Sequence, residues 1–109
     1  MKNIVFEKYQ GNGNDFIIID LRKNNLYRKF LSNKFLDIKK ICNRQFGIGG
    51  DGLIFITEAK EDNYASMIIY NSDGTEAQMC GNGIRCLVEY LHNNDLIKNK
   101  SIEYKIETK

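Results

Sequence analysis

Met79-Cys80-Gly81-Asn82-Gly83-Ile84-Arg85-Cys86-Leu87-Val88-Glu89-Tyr90-Leu91-His92 decides how this chain folds. Ile84, Leu87, Val88 and Leu91 recur at i, i+3, i+4 and i+7, the spacing of one helical face. A helix is therefore predicted to begin directly after Cys80 and to run to about His92, stopped by Asn93-Asn94-Asp95. Cys86 and Tyr90 add a second apolar stripe, and only Arg85, Glu89 and His92 make a clearly polar one. A helix that is apolar over most of its circumference is buried on most sides. The segments before and after it are strand-like, so the predicted class is α+β: a mixed, strongly curved β-sheet wrapped around a central α-helix.

Outward from that helix, the remaining elements fall into place. Ile4–Tyr9 reads as a short strand and Gly11-Asn12-Gly13-Asn14 as a turn. Phe16-Ile17-Ile18-Ile19 is an uninterrupted apolar run of strand length. Arg22–Lys29 is polar and reads as a loop. Lys34–Arg44 carries Phe35, Ile38, Ile41 and Cys42 at helical spacing, with Asn33 as its N-cap. The glycine-rich Gly47–Gly52 feeds a strand at Leu53–Ile56, Glu58–Asn63 is a polar turn, and Tyr64–Tyr70 is a further strand. Asn71-Ser72-Asp73-Gly74 is turn chemistry. In the last segment Ile102, Tyr104 and Ile106 alternate with Glu103, Lys105 and Glu107, the mark of a half-buried strand.

Bulk properties narrow the function classes. With 109 residues, 42% of them hydrophobic and 28% charged, the chain has the make-up of one small globular domain with a core. A net charge of +2, with lysines interleaved among acids, forms no basic stripe for nucleic acid. No apolar run approaches the roughly 20 residues that span a bilayer, and the first residues lack a signal-peptide pattern. Three cysteines, an odd number, suit free thiols in a reducing cytoplasm. Cys42, Cys80, Cys86 and the single histidine, His92, lack the paired spacing of a zinc site.

The residues able to do chemistry cluster in four loops, around Asn14, Gly49, Asn71 and Cys80. Asn side chains offer donors and an acceptor, and glycines let a backbone approach a ligand closely. Together they suit a polar, zwitterionic small molecule, although any one such loop is also ordinary turn chemistry. Neither Gly11–Asn14 nor Gly47–Gly52 completes a dinucleotide or phosphate-loop pattern. Cys80 has two readings. It is either a small buried apolar residue or a reactive thiol at a helix start, where unpaired N–H groups favour a thiolate and an anionic ligand. Cys42 and Cys86 read as core packing. His92, near the helix C-terminus, reads as a complement to the dipole.

Taken together, Gly11-Asn12-Gly13-Asn14-Asp15-Phe16, Arg44-Gln45-Phe46-Gly47-Ile48-Gly49-Gly50-Asp51-Gly52-Leu53, Asn71-Ser72-Asp73-Gly74-Thr75-Glu76 and Met79–Cys86 resemble the diaminopimelate epimerase family, in its order and spacing. The resemblance implies a cofactor-independent, metal-independent isomerase of lysine and cell-wall precursor synthesis. Such an enzyme interconverts LL- and meso-2,6-diaminopimelate through two cysteines on opposite faces of one α-carbon. It implies that Cys80 is the first of these cysteines and that Asn14, Asn71, Gly81 and Asn82 contact substrate, with the N–H groups of Gly81 and Asn82 on the α-carboxylate. Gly52 stands where some members have a glutamine, so the distal substrate contact is not carried over, and Asn12 receives no role. The family's fold implies two similar domains, of which residues 1–109 match the first. The second cysteine is expected in a C-terminal domain or a complementary chain, and the chain alone is expected to be inactive and able to form a homodimer. A proline-racemase-like or phenazine-biosynthesis-like isomerase half, and a non-catalytic carboxylate-binding module, are the competing expectations.

Overall fold

The two apolar runs at Phe16–Ile19 and Leu53–Ile56 become adjacent central strands, and their lack of alternation has a direct cause: both faces are covered. In the computed structural model, which describes residues 5–23, 38–58, 65–78, 81–94 and 106–108, the elements are β1 (Glu7–Gly11), β2 (Asn14–Asp20), a 3-10 turn (Leu21–Lys23), α1 (Ile38–Cys42), β3 (Gly52–Thr57), β4 (Ala65–Asn71), α2 (Gly81–Asn94) and β5 (Ile106–Thr108). The five strands form one sheet in the order β1-β2-β3-β4-β5. β1/β2 and β3/β4 pair antiparallel, while β2/β3 and β4/β5 pair parallel. The fold is thus α+β with a mixed sheet.

Side chains alternate across a strand, and the two sets go to separate cores. Phe16 and Ile18 of β2, Ile54 and Ile56 of β3, and Ala65, Met67 and Ile69 of β4 pack with Cys86, Leu87, Tyr90 and Leu91 of α2. Ile17, Ile19, Leu53 and Phe55 point the other way and pack with Leu21 and Cys42, with Ile38 and Ile41 of α1 against them. Among the described residues each face of the sheet therefore carries one helix. Along α2 the buried residues are Gly83, Cys86, Leu87, Tyr90 and Leu91. Both predicted stripes contribute, but Ile84 and Val88 stay half-buried and Arg85 and Glu89 face solvent.

Element boundaries differ from expectation where turns decide them. The first strand is Glu7–Gly11 rather than Ile4–Tyr9, because Gly11 pairs with Asn14 across a two-residue turn. That turn is Asn12-Gly13, with φ of 51° and 89°, the positive values that Asn-Gly adopts most readily in a tight hairpin. The α2 helix runs on to Asn94, where the Asn94 side-chain amide donates to the Tyr90 carbonyl at 2.9 Å. Of the predicted Lys34–Arg44 helix residues 38–44 are described, and the helix ends at Cys42 rather than Arg44, which lies in the turn that follows. Asn33, Phe35, Ile102 and Tyr104 lie outside the described residues. Among the described residues no helix is long and apolar enough to cross a membrane.

Candidate functional site

Strand register brings the asparagine and glycine loops to one end of the sheet. Asn14 starts β2 and pairs with Gly11, the last residue of β1. Phe16 pairs with Gly52, and Gly52 pairs with Asn71, the last residue of β4. The first turn of α2 meets the same end. A Cβ on Gly11 would sit 3.2 Å from the Asn82 carbonyl oxygen and 3.3 Å from Cys86 Sγ, so the hairpin and the helix start touch backbone to backbone.

At that meeting point Asn82 Nδ2 donates to Asn14 Oδ1 at 2.7 Å, and Asn12 Nδ2 donates to Asn82 Oδ1 at 3.3 Å. Among the described residues nothing but its own chain neighbours and helix backbone lies within 4 Å of the point where a Cβ on Gly81 would stand, and α2 has no acidic side chain in its first turn. The unpaired N–H groups of that turn thus have no carboxylate of their own helix to satisfy them. Asn71 is at the same sheet end by register, but its side chain is engaged locally: Nδ2 donates to Thr75 Oγ1 at 3.0 Å. Its backbone N–H donates to the Thr75 carbonyl at 2.8 Å, and Gly74 N–H returns a bond to the Asn71 carbonyl at 3.0 Å. Asp73 closes this turn by accepting from Thr75 N–H and Oγ1, bonds that hold its carboxyl below the usual range. Cys80 lies outside the described residues.

A charged cluster sits directly beneath Asn14. Arg44 Nη1 and Nη2 donate to the two oxygens of Asp15 at 3.0 and 2.7 Å, and Nη2 also reaches Asp51 Oδ1 at 3.0 Å. Lys8 Nζ lies 3.1 Å from Asp15 Oδ2. The Arg44 guanidinium holds the Asp15 carboxyl far below the ordinary carboxylate range, with Lys8 adding to it against the cost of burial. Asp15 in turn, with Asp51, holds the Arg44 proton more firmly than usual. Asp51 Oδ2 accepts from the Asp15 N–H at 3.0 Å and lies 3.5 Å from Asn14 Nδ2.

Arg44 is presented by a tight loop that closes the end of α1. Asn43 Oδ1 accepts from the N–H groups of Gln45 and Phe46, and Gly49 and Gly50 N–H groups donate to the Ile41 and Cys42 carbonyls at 3.0 and 3.1 Å. Gly47 passes so close that a Cβ would strike the Lys40 carbonyl oxygen.

Asn14 and Asn82 are thus brought into contact, Gly81 stands open beside them, and Asn71 shares their end of the sheet without a described contact to either. Asn12, Asp15, Arg44 and Asp51 carry no role in the sequence reading. Asp15 follows Asn14 and Asp51 interrupts a glycine loop, but their pairing spans 36 residues and that with Arg44 spans 29. No local pattern encodes such pairings. The other two thiols are core residues as expected, Cys42 at 3% and Cys86 at 1% exposure, in the two separate cores. Burial, with the Asp15 charge adding to it, pushes the Cys42 thiol up from its usual range.

This α+β arrangement has a counterpart among solved structures. The crystal structure of a Bacillus anthracis phenazine biosynthesis protein of the PhzF family matches with a TM-score of 0.64 at 21% identity, over 100% of this chain and 34% of that one. By sequence the chain belongs to the diaminopimelate epimerase family, whose family model matches residues 6–108. It is 56% identical over its whole length to a diaminopimelate epimerase of Prochlorococcus marinus strain NATL1A, covering 38% of that protein. It is 47% identical over 94 residues to those of Flavobacterium psychrophilum and Methanocella arvoryzae, covering 35% and 32% of them. The chain therefore spans between 32% and 38% of the length of these relatives.

Proposed function

We propose that this chain is the N-terminal domain of an enzyme that interconverts LL- and meso-2,6-diaminopimelate by moving the proton on one α-carbon. The observation that carries the reading is the 2.7 Å contact between Asn14 at the start of β2 and Asn82 in the first turn of α2. It joins two of the family's motifs at one end of the sheet, beside an open helix start.

In this reading the N–H groups of Gly81 and Asn82 take the substrate α-carboxylate, where the helix terminus favours an anion. Asn14 and Asn82 add side-chain N–H groups. Asn71, its Nδ2 held by Thr75, offers its Oδ1 to the substrate ammonium. Cys80 is one of two sulfurs. As a thiolate it takes the α-proton, leaving the C–H electron pair on a carbon whose carboxylate is held by N–H groups. The sulfur on the opposite face then gives its S–H proton to that carbon and becomes the thiolate. The reverse reaction exchanges the two roles, and sulfur alone moves the proton, without a cofactor.

The partner sulfur is assigned to a second domain or a complementary chain, because Cys42 and Cys86 are enclosed in the two cores. The sheet is proposed to curve around α2 as the helix's two apolar stripes suggest, and the free thiols to work in the cytoplasm.

Titrating the labelled chain with meso-diaminopimelate in deuterated buffer tests this. Amide resonances of Asn14, Gly81 and Asn82 are expected to shift, with no loss of substrate α-proton signal. Shifts confined to other regions, or none, would overturn the binding reading. Sustained α-proton exchange by the chain alone would overturn the need for a second sulfur from elsewhere.

A further inference from the structure

We infer that Asp51, braced by Arg44 and Asp15, is a positioning residue that turns the Asn14 amide and, through it, the Asn82 amide, so that the site presents N–H donors to a carboxylate. The inference rests on the binding reading above and adds to it the origin of the site's polarity.

A carboxylate has no proton to give, so the Asn14 atom facing Asp51 Oδ2 at 3.5 Å is Nδ2. The contact is long, and its hold on Asn14 is that of charge: an amide oxygen in the same place would face a negative oxygen. Asp51 is itself well anchored. Its Oδ2 accepts from the Asp15 N–H at 3.0 Å, its Oδ1 from Arg44 Nη2 at 3.0 Å, and its N–H donates to the Asp15 carbonyl at 2.8 Å. Arg44 grips Asp15 through both terminal nitrogens. The carboxylate nearest Asn14 thus has a fixed place.

The consequence passes along the asparagines. With Nδ2 turned to Asp51, the Asn14 oxygen faces α2 and accepts from Asn82 Nδ2 at 2.7 Å. The Asn82 oxygen is then occupied by Asn12 Nδ2 at 3.3 Å. Among the described residues each of these two amide nitrogens uses one of its two protons, so Asn14 and Asn82 keep one N–H apiece, while each of their oxygens already accepts one hydrogen bond. The remaining N–H groups match a carboxylate better than an ammonium, which could only share oxygens that already accept a bond. Stability gives little reason for such a network, because the Arg44 and Asp51 side chains are 57% and 40% exposed, and exposed ion pairs contribute little.

The test compares wild type with Asp51→Asn, which keeps the shape and removes the charge. Asp51→Ala removes the acceptor outright, and so decides the matter if the new amide turns its oxygen toward Asn14. Binding is followed by NMR with two probes: pimelate, with both carboxylates and no amine, and 1,5-diaminopentane, with both amines and no carboxylate. Spectra of the variants first establish that the fold persists. Wild type is expected to favour pimelate, and the ratio of the two affinities to fall about tenfold in the variants, the size of one hydrogen bond to a charged group. A parallel fall for both probes, or an unchanged ratio, would overturn the inference and leave the binding reading standing. A wild type that favours the diamine, or binds neither probe, would instead overturn the binding reading. The positioning claim is then decided by the scalar coupling across the Asn82 Nδ2 to Asn14 Oδ1 bond: its loss in Asp51→Ala supports the claim and its persistence refutes it.

Discussion

Replacing Tyr90 by Phe removes one oxygen from the middle of the molecule and isolates the bond that ties the helix carrying Asn82 to the sheet. Tyr90 is 5% exposed and its hydroxyl donates to Asp20 Oδ2 at 3.1 Å, at the end of β2 opposite to Asn14. Asp20, 6% exposed, keeps its other partners in the variant: Arg22 N–H and Nε at 3.0 Å and Nη2 at 2.8 Å. The ring, edge-on to Tyr9 with centroids 6.0 Å apart, is unchanged by the substitution. The bond to Asp20 that is lost, a hydrogen bond to a charged group, contributes about 1.5 kcal/mol, the lower end of its usual range, since Arg22 still satisfies the carboxylate. For a domain of this size that corresponds to a fall in Tm of about 6–12 °C. Thermal and urea unfolding followed by circular dichroism measure it, with an unchanged urea slope expected. A shift under about 2 °C would refute the argument that this bond secures α2 to the sheet.

The pH dependence gives an internal check. Burial works against ionised Asp20, yet the Arg22 hydrogen bonds and charge outweigh it and hold the carboxyl below its usual range. Its contribution is therefore present above an unfolded pKa of about 3.9 and lost as pH falls through the folded value. The gap between wild type and Tyr90→Phe should narrow in acid. Burial, followed by the Asp20 charge, also raises the Tyr90 hydroxyl above its usual pKa, so that contribution holds below about pH 10 and is lost as pH rises beyond it.

Leu87→Ala, at a fully buried position against the sheet, should cost about 2–5 kcal/mol in denaturant unfolding, whereas Val88→Ala, half-buried, should cost under about 1.5 kcal/mol. Asn82→Ala should leave unfolding within about 1 kcal/mol of wild type while weakening meso-diaminopimelate binding at least about tenfold, as read by NMR titration. Arg44→Met should let the Asp15 carboxyl titrate closer to the ordinary carboxylate range. Carboxyl-carbon NMR reads this change; with the Arg44 side chain 57% exposed, the accompanying loss of stability should be small, present above the unfolded carboxylate pKa and vanishing as pH falls through the depressed folded value. In native protein at neutral pH, a thiol reagent should leave Cys42 and Cys86 unmodified until the chain unfolds, since both are buried.

Much of the architecture is legible in the sequence because it depends on local periodicity. The helix at Gly81–Asn94 follows from apolar spacing, and the Asn12-Gly13 hairpin follows from the two residue types that tolerate positive φ. Phe16–Ile19 and Leu53–Ile56 are readable as buried strands from the lack of alternation, though not as parallel neighbours. Apolarity alone starts β1 too early, because Ile4-Val5-Phe6 is the more apolar stretch, whereas register across the hairpin sets the pairing. Phe46, 85% exposed in the loop after α1, shows the opposite limit: an apolar residue whose position is dictated by the capping bonds around Asn43 rather than by burial.

By itself the sequence marked most of the described strands and helices, and set Asn14, Asn71, Gly81 and Asn82 at or beside turn-rich segments. Those features rest on the preferences of residues within a few positions of one another. Only the tertiary structure decided that Asn14 meets Asn82 68 residues away, and that Arg44 draws Asp15 and Asp51 together beneath them. Strand order and register settle such contacts, and a hydrogen bond between distant loops leaves no periodic trace in the chain that forms it.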